Sequence, residues 1–362
     1  MSIWNFRELL PDIPREHQIS LGEGNTPLLK SRRIGPSAGL HRLYFKLESS
    51  NPTGSYKDRF AAAAVSHMRA AGQTLCVATS SGNTGSALAA YCAAAAIDCR
   101  IAIVETAPEA KLLQMLAYGA KLFRVRGFGI DPQITDSTFS TLATLADRPG
   151  AALQISAFKY SPRGMAGVQT IAYEIENQLE SPQHVFSPAG GGGLTLAVAR
   201  GFQQIRVAGR HAAPKIHCVQ PAGNDTIAGP MRAGKNRSAA VRCTTTISGL
   251  QVPSVIDGNE VIEACRTSGG TGHTVTDDEV FAMQQRLARE EGIFCEPAGA
   301  VAAAGALAAA ARDEIGSEDA VVCLVTGSGF KDLASAERLT DGAACETINC
   351  GQLSDYFNPH SP

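Results

Sequence analysis

The sequence predicts an α/β protein, with parallel sheets covered by helices, on two observations. Short β-branched runs alternate with Ala-rich stretches of helical length along the 362 residues, the pattern of parallel strands joined by crossover helices. Clusters of glycine and small polar residues directly follow three of these runs, where the ligand crevice of an open α/β sheet lies. The length is enough for two packed domains, because one hydrophobic core stops growing below about 300 residues.

Taken in order, strands are expected at 43–46, 75–78, 100–104, 121–125, 184–187, 215–220 and 320–325. The turns that follow three of them are Ser80-Ser81-Gly82-Asn83, Gly190-Gly191-Gly192-Gly193 and Thr326-Gly327-Ser328-Gly329, which points to one shared site. No internal repeat or low-complexity linker marks a domain boundary. From Leu339 onward the periodicity is weak, so a surface tail or a late helix packed outside the core is expected.

Charge and cysteine usage narrow the function classes. With 32 basic and 34 acidic side chains the net charge is -2, which leaves no broad footprint for nucleic acid or an anionic membrane. The ten cysteines are scattered, without a CxxC pair, and read as reduced, buried thiols of a cytosolic protein. Neither they nor the eight histidines show metal-ligand spacing, so no metal is expected. Residues 1–18 lack the apolar core of a signal peptide, and the Ala-rich stretches 89–96 and 298–311 fall short of about twenty strongly apolar residues. The expected location is the cytoplasm.

Three segments carry chemistry. Asn51-Pro52-Thr53-Gly54-Ser55-Tyr56-Lys57-Asp58-Arg59 sets Lys57 after a Pro/Gly turn and before an Ala-rich helix. A helix start and desolvation both lower a lysine's pKa and make its amine a better nucleophile, although most lysines are solvated surface groups. Thr79-Ser80-Ser81-Gly82-Asn83-Thr84-Gly85 offers backbone N–H groups and hydroxyls suited to a carboxylate, or serves as an ordinary helix cap. Ser187-Pro188-Ala189-Gly190-Gly191-Gly192-Gly193-Leu194-Thr195 lets successive amides converge on a phosphate, a flexible linker being the alternative. It has neither the Lys-Ser/Thr of a Walker loop nor the spacing and downstream acid of a dinucleotide site.

These segments, with Gly22-Glu23-Gly24-Asn25-Thr26-Pro27-Leu28 before them and Thr326-Gly327-Ser328-Gly329-Phe330-Lys331-Asp332 after, occur in the order seen in fold-type II pyridoxal 5′-phosphate (PLP) enzymes. Among these, the chain most resembles the threonine synthases, over residues of about 20 to 335. The resemblance implies two open parallel-sheet domains: 1–55 with 155–340 as the larger, PLP-binding one, 56–154 as a smaller mobile one that closes over substrate, and 341–362 as a tail. It implies that Lys57 carries the cofactor as a Schiff base and moves protons, and that Asn83 bonds the cofactor's 3′ oxygen. Gly190, Gly191, Gly192 and Gly193 would cradle the phosphate, Thr326 would meet the pyridine nitrogen, and Ser80, Ser81 and Thr84 would hold the substrate carboxylate. A neutral hydroxyl at the nitrogen goes with elimination and replacement chemistry. Small amino-acid substrates and a homodimer are implied in the same way.

Two departures bear on substrate. The Gly190 to Gly193 run looks more like threonine dehydratase and serine racemase than the Gly-Asn type of threonine synthases. In Phe158-Lys159-Tyr160-Ser161-Pro162-Arg163-Gly164-Met165-Ala166, Phe158 replaces a polar group, Gly164 falls where an arginine is expected and Ala166 where an acid is. Lys159 and Arg163 are cations suited to an anionic leaving group or are surface charges. The leading expectation is elimination and replacement on an O-phosphorylated amino acid, O-phosphohomoserine to threonine and phosphate. The rivals are β-replacement on O-phosphoserine or activated serine, of the cysteate synthase or cysteine synthase type, and threonine or serine dehydration. A catalytically silent regulatory relative and a dinucleotide-binding protein are the readings from other classes.

Overall fold

The computed structural model describes residues 2–80, 82–207, 209, 214–340 and 342–357. Among these residues, ten strands form two sheets. They are β1 (Leu28–Lys30), β2 (Leu43–Leu47), β3 (Leu75–Thr79), β4 (Asp98–Ile103), β5 (Lys121–Arg124), β6 (Ala151–Gln154), β7 (His184–Pro188), β8 (Lys215–Pro221), β9 (Gly272–Val275) and β10 (Val321–Val325). The larger sheet has the order β1-β2-β10-β7-β8-β9 and the smaller β5-β4-β3-β6. Every pairing is parallel except that of β1 with β2 at one edge.

All seven expected strands are present, each within two residues of its expected ends. The three that the pattern did not reveal carry little apolar signal. β1 is a three-residue edge with two exposed positions, β6 is Ala-Ala-Leu-Gln, and β9 is Gly-His-Thr-Val. A Cβ at Gly272 would come 2.6 Å from the Cα of Ala228, so tertiary packing, not β propensity, selects the first residue of β9.

The helices are α1 (Ile34–Ser37), α2 (Lys57–Ala70), α3 (Asn83–Ala94), α4 (Glu109–Ala117), α5 (Pro132–Ala146), α6 (Pro162–Gln178), α7 (Gly193–Val207), α8 (Ala228–Arg232), α9 (Gly258–Thr267), α10 (Asp277–Glu291), α11 (Pro297–Ala310), α12 (Leu333–Leu339) and α13 (Leu353–Phe357). The alternation along β10 shows how they are layered: Val321, Cys323 and Val325 point into one core with α10 and α11, while Val322 and Leu324 point into another with α2, α6 and α7. The second core continues through α2 and α3 to Cys76, Ala78 and Ile101 of the smaller sheet, whose other face packs Val77 and Ala102 on Leu142 of α5. α11 is Ala-rich and buried nearly all round between the larger sheet and α10. Beyond Leu339 the described chain ends in the exposed helix α13, outside the core. No helix among the described residues is long and apolar enough to cross a membrane.

α2 bridges the two sheets, packing on both α3 and α6. On the α6 side the approach is close: a Cβ at Gly167 would lie 2.2 Å from the Arg59 carbonyl oxygen, and one at Gly164 would lie 2.7 Å from the Phe60 ring. An arginine has no room at 164, and this is the physical reason for the departure at that position.

Candidate active site

The turn before α2 is zipped to the turn after β10. Ser55 bridges Gly327, the Tyr56 N–H donates to the Thr326 carbonyl at 3.1 Å, and the Ser328 N–H donates to the Gly54 carbonyl at 2.8 Å. Asp58 closes the turn on itself by accepting from the N–H and the hydroxyl of Thr53, at 3.0 and 2.8 Å. Two of the three glycine-bearing turns' strands, β10 and β7, are neighbours, so Thr326 and the Gly190 loop reach the same end of the larger sheet as Lys57.

In the first turn of α2, Arg59 is fully buried and bidentate to both Glu48 and Glu174: Nε and Nη2 donate to Glu48 at 2.7 and 2.8 Å, Nη1 and Nη2 to Glu174 at 2.6 and 2.8 Å. Lys46 donates to Glu174 at 2.7 Å and to the Thr26 carbonyl at 2.8 Å. Glu174 also accepts from the N–H groups of Asn25 and Thr26. Burial works against the Glu174 charge, yet Arg59 and Lys46 hold its pKa well below the usual carboxylate range. The Gly22 to Leu28 motif therefore anchors the lysine-bearing helix.

The Lys57 amine donates to Ser156 Oγ at 2.5 Å and lies 4.5 Å from the centroid of the Tyr56 ring. Ser156 Oγ is 3.0 Å from Thr84 Oγ1. Burial lowers the Lys57 pKa to about 7, against the pull of the Glu296 and Asp257 carboxylates. Burial likewise pushes Glu296 up to about 7, although Asn83 Nδ2 donates to its Oε1 at 2.7 Å. Amine and carboxyl thus share the pH range in which each changes charge.

Asn83 and Thr84 open α3, and Ser80 lies just before them with its hydroxyl accepting from the Gly82 N–H at 3.2 Å. Ser81 falls outside the described residues. In the glycine loop the carbonyls are taken: Gly190 by Gln220 Nε2, Gly191 by the Asp257 N–H and Gly192 by the Leu196 N–H. No protein acceptor takes the N–H groups of Gly190, Gly191, Gly192 or Gly193 among the described residues, and they stand at the start of α7. Gly192 has φ +97, and a Cβ there would meet Val261 at 2.8 Å.

The two cations separate. The backbone N–H of Lys159 donates to Asp257, which also influences Lys57, so residue 159 stands at the site's margin with an exposed side chain. Arg163 does not join the group: it is exposed and acts on His67, ten residues along α2 from Lys57, about 15 Å at helical rise. Sequence reading missed Ser156, Asp257 and Glu296. Only Glu296 had a local signal, an acid before Pro297 at the start of an Ala-rich helix. The other two lie in irregular segments that tertiary structure alone brings to Lys57.

A lysine with a lowered pKa, a row of free amides at a helix start and a buried hydroxyl at a strand end suit an aldehyde, a phosphate and a ring nitrogen in one ligand. Residues 19–327 match the family described as pyridoxal-phosphate dependent enzyme. The chain belongs to this family. It is 32% identical to the threonine synthase of Methanosarcina acetivorans over 91% of this chain and 80% of that protein. Against the threonine synthase of Methanocaldococcus jannaschii the identity is again 32%, over 94% and 83%. Among solved structures, the processed form of threonine deaminase isoform 2 from Solanum lycopersicum superposes with a TM-score of 0.74 at 22% identity, covering 95% of this chain and 94% of that one. The maize serine racemase gives 0.74 at 21%, covering 94% and 97%. At those identities the structural likeness establishes the fold, that of fold-type II PLP enzymes. The chain is a PLP-dependent lyase or synthase.

Proposed function

We propose that this PLP enzyme is a threonine synthase, releasing phosphate from O-phosphohomoserine and adding water to give threonine. The observation that carries the reading is the 32% identity to threonine synthases over at least 80% of their length, far closer than to the deaminase and racemase folds. Bound PLP supplies an electron sink for the α carbon of the substrate. We assign Lys57 as the group that bonds the cofactor and then takes and returns protons at its amine, Ser156 holding that amine in place. Gly190, Gly191, Gly192 and Gly193 would hold the cofactor phosphate through their free N–H groups, Thr326 the ring nitrogen and Asn83 the 3′ oxygen. Ser80, Ser81 and Thr84 would take the substrate carboxylate at the start of α3. Lys159 is assigned to the leaving phosphate; Arg163, beside His67, is not.

The mobile unit we propose begins after Ala70, not at residue 56, because Arg59 ties α2 to the larger sheet. Its seam with the larger sheet is latched by Lys111, which bonds the Ser248 hydroxyl and lies 3.7 Å from Asp332, and by Lys331, which donates to Gln114 at 2.5 Å. A homodimer in the cytoplasm, acting on a small amino acid, completes the proposal; light scattering tests the assembly.

The glycine run together with Gly164 favours a second reading, threonine or serine dehydration. One substrate panel separates them. Phosphate and threonine from O-phosphohomoserine support the synthase. Phosphate from O-phosphoserine in its place indicates β-replacement, and 2-oxoacid with ammonia and no phosphate indicates the dehydratase.

A further inference from the structure

Three cysteines far apart in sequence meet in the core of the smaller sheet. Cys76 on β3 and Cys99 on β4 are register partners on adjacent parallel strands, so their side chains leave the same face of the sheet. Cys92, in the last turn of α3, comes down onto that face. The three Sγ atoms all lie within 4.8 Å of one another, and the residues are 0%, 0% and 5% exposed. Mutual contact and burial together push the Cys76 and Cys92 thiols up, while contact with those two sulfurs pushes the Cys99 thiol down against the effect of burial. The charged group that acts on Cys92 and Cys99 is Asp98, itself paired with Arg100 and Lys121. The sequence expectation of no metal rested on ligand spacing along the chain, which a β-α-β crossover hides.

We propose that Cys76, Cys92 and Cys99 form a three-coordinate site for a soft monovalent cation of the copper(I) class. The donor set is all sulfur, which selects soft d10 ions over magnesium or calcium. No fourth His, Cys, Asp or Glu joins the group among the described residues, and the apolar surroundings exclude water, so the tetrahedral shell of structural zinc is not available. A metal–sulfur bond of about 2.3 Å puts the sulfurs of a planar trigonal site about 4 Å apart, so each moves by less than about 1 Å to close on the ion. Binding exchanges thiol protons for the cation and releases them to solvent, with no change in oxidation state, and therefore tightens as pH rises. It also ties the far end of α3 to β3 and β4, behind the helix start that carries Asn83 and Thr84.

The test uses the holoenzyme with the exposed thiols removed by Cys345→Ser and Cys350→Ser, titrated anaerobically with copper(I) against a chromophoric copper(I) chelator. The expected result is one equivalent retained, with three sulfur scatterers and no nitrogen or oxygen in the X-ray absorption spectrum. Cys92→Ala and, separately, Cys99→Ala should each lower the retained affinity at least tenfold while leaving PLP absorbance in place. Complete loss of copper to the chelator, equal retention by both variants, or a spectrum with fewer sulfurs overturns the proposal. The spectrum needs no variant, so a variant that fails to fold does not blunt the test.

Discussion

Lys57 and Ser156 are joined by a 2.5 Å hydrogen bond that fastens the lysine-bearing start of α2 to the loop after β6. Ser156 in turn touches Thr84 at 3.0 Å, so one hydroxyl connects Lys57, the residue proposed to bear the cofactor, to the opening of α3. Ser156→Ala removes that connection without altering the helix. Turnover should fall about tenfold, or about 1.4 kcal/mol of barrier, with PLP still bound. Steady-state phosphate release alongside cofactor absorbance checks this; an unchanged kcat would count against the positioning role.

The Lys57 pKa of about 7 has a direct consequence for cofactor capture. The neutral amine is the nucleophile, and its share rises as pH climbs through the pKa. Stripped of PLP, the protein should recapture it with a rate that rises through about pH 7 and then levels off. A free lysine would put that midpoint near 10.4. Stopped-flow absorbance across pH 6 to 9 distinguishes the two.

Arg59 should be a stability residue first and a catalytic influence second. Arg59→Leu leaves Glu48 and Glu174 buried with only Lys46 as countercharge. Breaking a buried ionic cluster in this way costs about 3–5 kcal/mol. Urea unfolding of the two proteins side by side measures it, and a loss below about 1 kcal/mol would contradict the geometry.

Histidines 184, 217 and 273 form a buried row across β7, β8 and β9, on the edge of the larger sheet away from the site. Arg312 Nη2 lies 2.9 Å from His273 Nδ1, His273 Nε2 lies 3.0 Å from His217 Nδ1, and His217 Nε2 lies 2.9 Å from His184 Nδ1. His184 Nε2 faces Asp319 at 3.3 Å. Arginine only donates, so each ring must accept at Nδ1 and carry its proton on Nε2, ending on a carboxylate that only accepts. An added proton breaks the row. Burial lowers all three pKa values, to about 4 for His273 and about 2 for His217, with Lys215, Arg232 and Arg312 adding to the effect and Glu314 and Asp319 opposing it. At these three rings the unfolded chain therefore binds more protons below about pH 6.5, and their contribution to stability should fall as pH drops from there toward 4, against the opposite contribution of Glu296 and Asp58, whose burial raises their values to about 7 and about 6. The difference in unfolding free energy between the protein and its His217→Phe variant, followed from pH 7 to 4.5, tests the slope, and nitrogen-15 shifts of the rings test the tautomers.

Much of the fold was legible because parallel strands buried on both faces are rich in apolar residues, as at 320–325. β9 was not legible, since Gly272 and His273 are chosen by the backbone of Ala228 and by the histidine row. At the site, Lys57, Asn83, Thr326 and the four glycines stood out because each sits where a strand or turn gives way to a helix. Ser156 and Asp257 sit in loops with no periodicity, and their roles arise from distances across the fold. Arg163 illustrates the converse: a cation at a suggestive position in the chain whose helix carries it toward His67.

A single residue, Asp58, separates the Lys57 amine from the guanidinium of Arg59 that is clamped. With Arg59 gripped by carboxylates from both β2's end and α6, the backbone at Lys57 has a fixed address, and only the four methylenes of the side chain can travel. In the proposed enzyme, opening and shutting of the smaller sheet would then carry the loop assigned to the substrate carboxylate to a stationary lysine. Substrate would come and go without any pull on the residue proposed to tether the cofactor.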